Sequence, residues 1–191
     1  MKKTEITVEV FDNANKIREI LVDRGFVLIK SFMLEDEYFS RIDLETLKGL
    51  PYADILASSF LLRRESPADI AEIIYKDKTV NDKGLVLEEE KTTIIIDDID
   101  KAKALFTRAG LNNWCSLRNN SEVYKKGDIE FAVQFVDELG VFIEFEENDS
   151  MKGLSPEEKL RSLYEELSML GLTLGKDYSV KKPYLKLLKT I

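Results

Sequence analysis

Between Glu122 and Glu146 the chain reads EVYKKGDIEFAVQFVDELGVFIEFE, and apolar and polar positions alternate there in two runs. Ile129, Phe131, Val133 and Phe135 alternate with Asp128, Glu130, Ala132 and Gln134; Val141, Ile143 and Phe145 alternate with Phe142, Glu144 and Glu146. This period of two predicts a β-hairpin that turns at Asp137-Glu138-Leu139-Gly140. Because side chains repeat every second residue along a strand, Glu144 and Glu146 project from one face, roughly 7 Å apart. Two carboxylates so placed could share a hard cation, although a solvated strand face is the commoner explanation of such spacing taken alone.

The same patterning predicts the other elements. Thr4 to Phe11 alternates Ile6, Val8 and Val10 with Glu5, Thr7 and Glu9, a half-buried strand. Asp12 to Asn15 offers helix caps, and Ile17, Ile20 and Leu21 make a stripe that stops at Gly25. Phe26 to Ser40 reads as one long strand or two. Arg41 to Ala57 is a short helical or irregular connection, broken by Pro51. Phe60–Arg64 and Ile70–Lys76 predict a second hairpin around Ser66-Pro67-Ala68-Asp69, followed by a loop from Asp77 to Gly84. Leu85 to Asp97 reads as a strand, and Asp98 or Asp100 then caps a helix running to Gly110. Strand, helix, glycine, strand and hairpin therefore recur, with DRGF at Asp23–Phe26 answered by TRAGL at Thr107–Leu111, which predicts internal symmetry. Ser155-Pro156-Glu157-Glu158 starts a helix with the stripe Leu160, Leu163, Tyr164 and Leu167. A last helix spans Pro183 to Lys189.

Composition narrows the chemistry. The 191 residues are 44% hydrophobic, enough for a sizeable core. Thirty-six acidic residues against 28 basic ones leave a net charge of −8, which argues against nucleic acid or an anionic membrane surface as partner while leaving room for a local basic pocket. Histidine is absent and Cys115 is the one cysteine, so the usual zinc ligands, Cys/His pairs and disulfides drop out, and carboxylate, lysine and arginine chemistry is left. No apolar run approaches the ~20 residues of a membrane span and MKKTEITVEV is no signal peptide, so a cytoplasmic protein is expected.

About eight antiparallel strands with helices at their connections can close into a barrel, hiding the edge strands and turning one alternating face inward. The chain here resembles the CYTH, or triphosphate tunnel, superfamily of class IV adenylate cyclases, thiamine triphosphatases and RNA triphosphatases. The likeness is clearest from Ala102 to Glu146, through ALFTRAGL, SEVYKKGDIEFAVQFVDELGVFIEFE and the closing Gly-x-Phe-x-Glu-x-Glu of Gly140 to Glu146. The resemblance implies an α+β fold over residues 1–191: an antiparallel β-tunnel in 1–150, closed or nearly closed, with helices outside and a helical tail in 151–191. It also implies a site in which lysines and arginines grip a triphosphate and glutamates hold Mg²⁺ or Mn²⁺.

Position by position, the family pattern is eroded. Its opening Glu-x-Glu-x-Lys falls on Glu5, Thr7 and Glu9, which inverts a charge at Glu9. Its Arg-x-Arg falls on Leu61 and Arg63, and the lysine of the next strand on Lys76. The fifth strand offers Glu89, Lys91 and Thr93, the sixth Asn119 and Ser121, and the acid before the last turn is Gln134. The surviving set is Glu5, Glu144 and Glu146 for metal, with Arg63 and Lys76 for phosphate; no catalytic residue is assigned. The resemblance thus implies a protein that binds a phosphate-rich or other anionic small molecule with weak or lost catalysis. Its alternatives are an active Mg²⁺- or Mn²⁺-dependent cyclase or triphosphatase and a non-catalytic protein-interaction domain, and a homodimer is left open. Glu9 is expected either to pair with Arg63, Lys76 or Lys91 or to lie at a solvated rim.

Overall fold

Strand, helix, long strand and hairpin follow one another twice along the chain, and that order dictates the sheet. The computed structural model describes residues 2–82 and 85–189. In the first half β1 (Glu5–Val10) leads to α1 (Ala14–Asp23) and β2 (Val27–Ser40), then the short helices α2 (Leu44–Lys48) and α3 (Tyr52–Ala57), and the pair β3 (Ser59–Ser66) and β4 (Ile70–Val80). The second half is β5 (Val86–Ile96), α4 (Ile99–Arg108), β6 (Asn112–Lys126), β7 (Ile129–Val136) and β8 (Gly140–Glu146). A tail with α5 (Pro156–Ser168) and α6 (Lys182–Lys189) completes the chain.

Local chemistry sets the helix ends. Asn13 caps α1 by accepting from the Lys16 N–H, and Asp98 caps α4 by accepting from Asp100 and Lys101. Both helices stop at a glycine in the left-handed region, Gly25 at φ +82° and Gly110 at φ +78°. After each glycine the next N–H reaches back, Phe26 to the Leu21 carbonyl and Leu111 to that of Phe106, both at 2.9 Å. The expected start of α5 is a full capping box, in which Ser155 accepts from the Glu158 N–H and Glu158 from the Ser155 N–H.

All strand pairs are antiparallel, in the order β1-β8-β7-β6-β2-β3-β4-β5. Exchanging the halves, β1 with β5, β2 with β6, β3 with β7 and β4 with β8, merely reads this order backwards, so the sequence recurrence is a pseudo-twofold of the sheet. The two outer strands meet where Lys3 and Glu89 exchange backbone hydrogen bonds of 3.0 and 2.8 Å. Farther along β1 the tail covers the free edge: Thr7 donates to the Tyr178 carbonyl and accepts from Val180, both at 3.1 Å, and Gly175 donates to the Glu9 carbonyl at 2.8 Å. The result is an α+β fold, an eight-stranded antiparallel sheet curled into a nearly closed tunnel.

One open alternative is resolved and two boundaries differ from the patterning. Phe26 to Ser40 holds one strand, β2, which pairs with β6 along its length. β4 runs past Lys76 to Val80 because Asp77, Lys78 and Thr79 pair with Glu90, Glu89 and Glu88 of β5; the expected loop shrinks accordingly, and Lys83 and Gly84 of it lie outside the described residues. The last helix begins one residue earlier, at Lys182. Trp114 and Cys115 sit on β6, with Cys115 buried and Trp114 packed beside it. Tyr124 is buried and Tyr184 stacks at 5.8 Å from Tyr52, so both are packed aromatics.

The convex face of the sheet carries the larger apolar core. Ile6, Val8, Val10 and Phe145 pack with Ile17 and Leu21 of α1 and Leu160, Leu163 and Leu167 of α5. Since side chains alternate, Glu5, Thr7 and Glu9 point to the concave side. Phe145 is 1% exposed in this core, so Phe145→Ala should cost about 3–5 kcal/mol by lost burial and the cavity left behind. Removing the α5 cap with Ser155→Ala should cost only about 1 kcal/mol. Urea unfolding followed by circular dichroism measures both.

Candidate binding site

The concave face divides into an apolar and a charged part. Tyr38, Leu61, Ile74, Cys115, Leu117, Phe142 and Val180 form the apolar part. Burial raises the Cys115 thiol to about 12, which keeps it from acting as a thiolate nucleophile. Beside it lies a cavity of about 50 Å³ lined by six basic side chains, Arg63, Lys76, Lys78, Lys91, Lys181 and Lys182, and four acidic ones, Glu5, Asp36, Glu89 and Glu144. Strand pairing places them. Asp36 of β2 stands opposite Arg63 of β3, Lys76 of β4 opposite Lys91 of β5, and Lys78 opposite Glu89.

Nearly every charge there is paired. Arg63 donates through Nε and Nη2 to the two oxygens of Asp36, each at 2.7 Å, the bidentate fork that suits a guanidinium and a carboxylate. Glu89 receives Lys76 at 2.9 Å and also Lys78. Lys91 lies 3.3 Å from both Glu5 and Glu146 and 3.8 Å from Glu89. Lys182, from the tail, donates to Glu144 at 2.9 Å and also to Gln134. Glu146 is nearer the mouth, where Lys3 pairs with it at 2.8 Å; its side chain is 37% exposed, as is that of Lys91.

Electrostatics follows from this crowding. Burial alone would raise the Glu144 pKa, but Lys182, Lys91 and Lys76 outweigh it and hold the carboxyl well below its usual range. Burial would likewise raise Glu89, and Lys76, Lys78 and Lys91 keep it low. Lys76 would be lowered by burial, yet Glu89, Glu5 and Glu144 raise it. Lys78 is the exception: burial outweighs Glu89 and pulls it down to about 8.

The five residues singled out from the sequence, Glu5, Glu144, Glu146, Arg63 and Lys76, all reach the tunnel interior or its mouth, and the structure brings four of them, all but Glu146, to one cavity. What the sequence missed is three of the charges around them. Asp36 was hidden in a strand with no clean alternation, Lys78 in the supposed loop, and Lys182 just before the last helix. Lys78 had one signal, its period of two with Ile74 and Lys76. Asn119, Ser121 and Gln134 are buried on the inner face, with Ser121 donating to Asn119 at 2.7 Å, so the sixth strand is neutral where the family resemblance implies cations. Glu9 makes no ion pair among the described residues; it lies at the other end of β1, beside Gly140 and Gly175. That is the unpaired one of its two expected outcomes.

A wider open groove of about 430 Å³ crosses Glu35, Arg64, Asp100, Lys103, Arg118 and Lys186. Over its full lining six acidic residues outnumber four basic ones, so the smaller interior cavity, where basic side chains outnumber acidic ones, is the better candidate for an anion.

A curled antiparallel sheet that encloses lysines, arginines and glutamates is the arrangement of a triphosphate-tunnel protein. No family profile matches the chain. A Methanocaldococcus jannaschii protein named as a candidate adenylate cyclase is 31% identical over 191 residues, covering 98% of both chains. A conserved hypothetical protein from Pyrococcus furiosus has a similar structure, with a TM-score of 0.68, 20% identity and coverage of 91% of this chain and 94% of its own. So does an adenylyl cyclase-type protein from Hippeastrum, described as having a dominant triphosphatase activity, with a TM-score of 0.61, 16% identity and coverage of 98% and 96%. The chain belongs to the CYTH, or triphosphate tunnel, family, which includes adenylate cyclase-like and triphosphatase-like members.

That family is generally metal-dependent, so the donor set needs testing against a metal ion. It does not fit as arranged. Among the described residues no group of three or more His, Cys, Asp or Glu side chains could hold one. Glu5 and Glu146 face each other across β1 and β8, but the Lys91 ammonium lies between them, and Glu144 is taken by Lys182.

The acid side of the pH profile follows from the lowered carboxyls. A group whose folded pKa lies below its ordinary value of 4.5 stabilises the fold above that value and loses its contribution as the pH falls below it. The urea midpoint should therefore begin to drop near about pH 5 and go on falling as the pH is lowered toward the depressed folded values. In Glu144→Gln that slope should flatten, because the substituted side chain no longer takes up a proton.

Proposed function

We propose that this protein binds a phosphate-rich or other small anionic molecule in its tunnel and has little or no turnover. The supporting observation is a reversal of sign: the cavity is lined by six basic and four acidic side chains, an excess of two cations, in a chain whose net charge is −8. Such an interior favours anions over cations, and its low dielectric strengthens the preference.

The same geometry argues for weak catalysis. A triphosphate carries about four negative charges and must be gripped by free cations. Here Arg63, Lys76, Lys91 and Lys182 each already hold an internal carboxylate, and the space between them is about 50 Å³, room for a few waters. A ligand has to displace those carboxylates and widen the cavity, so binding energy goes into breaking ion pairs rather than into a transition state. The active-enzyme alternative needs Glu5, Glu144 and Glu146 gathered around Mg²⁺ or Mn²⁺, which the lysines oppose. A single CYTH-like domain in the cytoplasm belongs to the same proposal, in keeping with a lone, free and buried Cys115.

Calorimetry with tripolyphosphate, ATP and orthophosphate tests binding. Lys76→Ala should weaken it by about tenfold or more while leaving the fold intact, since Lys78 still neutralises Glu89. Arg63→Ala is the poorer probe, because it strands the buried Asp36 carboxylate. Turnover of ATP, thiamine triphosphate or tripolyphosphate with Mg²⁺ or Mn²⁺ that disappears in Glu144→Ala and Glu146→Ala would make the protein an enzyme after all.

A further inference from the structure

We infer that two lysines, Lys91 from β5 and Lys182 from the tail, take the place of a divalent cation in this tunnel, so that it holds anions without metal. The register of β1 and β8 sets Glu5 opposite Glu146 and Thr7 opposite Glu144. Three carboxylates thus share one face of two adjacent strands, where opposed Cβ atoms are about 5 Å apart. Like charges at that spacing require a compensating cation. In this chain the compensation is covalently attached.

The charges match in number as well as in place. Two ammonium groups supply the two positive charges of one divalent ion. Lys91 spans Glu5 and Glu146 with contacts of 3.3 Å to each, and Lys182 takes Glu144 at 2.9 Å. An ammonium accommodates oxygens at these distances, whereas Mg²⁺ needs them at about 2.1 Å and in a near-octahedral set. A divalent ion could reach Glu5 and Glu146 only by expelling Lys91.

The sheet holds both lysines where they are. The Lys3–Glu89 backbone pair brings β5 against β1, which aims Lys91, two residues along on the same face as Glu89, across the seam at Glu5. Pairing of β4 with β5 fixes its backbone opposite Lys76. Lys182 follows directly on the stretch in which Val180 is hydrogen-bonded to Thr7 at 3.1 Å, so the tail, laid along the strand whose middle acid is missing, delivers the second ammonium to Glu144 on the neighbouring β8. Thr7 stands where the family resemblance implies a second metal-binding glutamate on β1, and it is buried without a charge.

The inference rests on the anion-binding proposal for its consequence but not for its test. Mn²⁺ is titrated by calorimetry, with no anion present, into the wild type, Lys91→Ala, Lys91→Gln, Lys182→Ala and the double variant Lys91→Ala/Glu146→Gln. The wild type should show no saturable Mn²⁺ binding in the micromolar range. Lys91→Ala frees Glu5 and the Glu146 oxygen that Lys91 holds, leaving Lys3 on the other oxygen, and should bind Mn²⁺ at least tenfold more tightly; the added Glu146→Gln should remove the gain. Lys91→Gln keeps the length of the side chain and serves if the alanine variant is unstable. In parallel, the wild-type affinity for tripolyphosphate should be unchanged, within twofold, by EDTA. Glu146-dependent Mn²⁺ binding by the wild type, or no gain in either folded Lys91 variant, would overturn the inference, as would a tenfold loss of tripolyphosphate affinity on adding EDTA. Failure of tripolyphosphate to bind under any condition defeats the anion-binding proposal instead, and the Mn²⁺ titrations still decide whether the lysines replace the metal.

Discussion

A curled sheet can turn charged side chains toward its own interior only if each finds an opposite charge within reach, because a lone ion in that environment costs several kcal/mol. The concave face of this protein obeys that constraint almost residue by residue: Arg63 with Asp36, Lys76 and Lys78 with Glu89, Lys91 with Glu5 and Glu146, Lys182 with Glu144. The convex face is ordinary by comparison, an apolar layer under α1 and α5 that would stabilise any sheet of this size. What distinguishes the molecule is the ionic lattice inside, and the topology exists to assemble it.

That assembly is non-local in sequence, which is where the patterning of the chain stopped being informative. The β7–β8 hairpin, the caps of α1, α4 and α5 and the shared face of Glu144 and Glu146 all follow from residues within a few positions of one another and could be read directly, whereas the inward direction of that face came only from the family resemblance. Lys182 lies 38 residues from Glu144, and Lys91 lies 86 from Glu5. No period reveals such pairs; they exist only once the pseudo-twofold order has brought β5 to β1 and laid the tail along the open edge. Asp36 shows the same limit from another side. Its strand is covered on both faces over part of its length, so alternation blurs, and the acid becomes recognisable only through the arginine opposite it on β3.

Lys78 was missed for a different reason. DKTVNDKG has the composition of a loop, and propensity alone predicts one. Cross-strand partners override it: Asp77, Lys78 and Thr79 find Glu90, Glu89 and Glu88 across from them, and β4 therefore continues for four residues beyond Lys76. The cost is a buried amine that burial pulls down to about 8 despite its partner. Glu89 binds two lysines at once, so neither ammonium receives a full carboxylate to itself.

Glu9 completes the physical picture of how a phosphate tunnel can lose cations and remain folded. It occupies the position where the family resemblance implies a lysine, and an acid among Glu5, Glu144 and Glu146 would have raised the repulsion on that face. The chain avoids this by geometry rather than by neutralisation. Glu9 stands opposite Phe142, where the inner surface has turned apolar, and its backbone carbonyl is held by Gly175 of the tail. The carboxylate is only half-buried there, so water rather than a lysine can solvate it. The charge inversion is thereby kept apart from the Lys91 and Lys182 pairs. The same tail that positions Lys182 for Glu144 also anchors the backbone at Glu9, so the segment following α5 both supplies a cation where the tunnel is acidic and fixes the strand end where it is not.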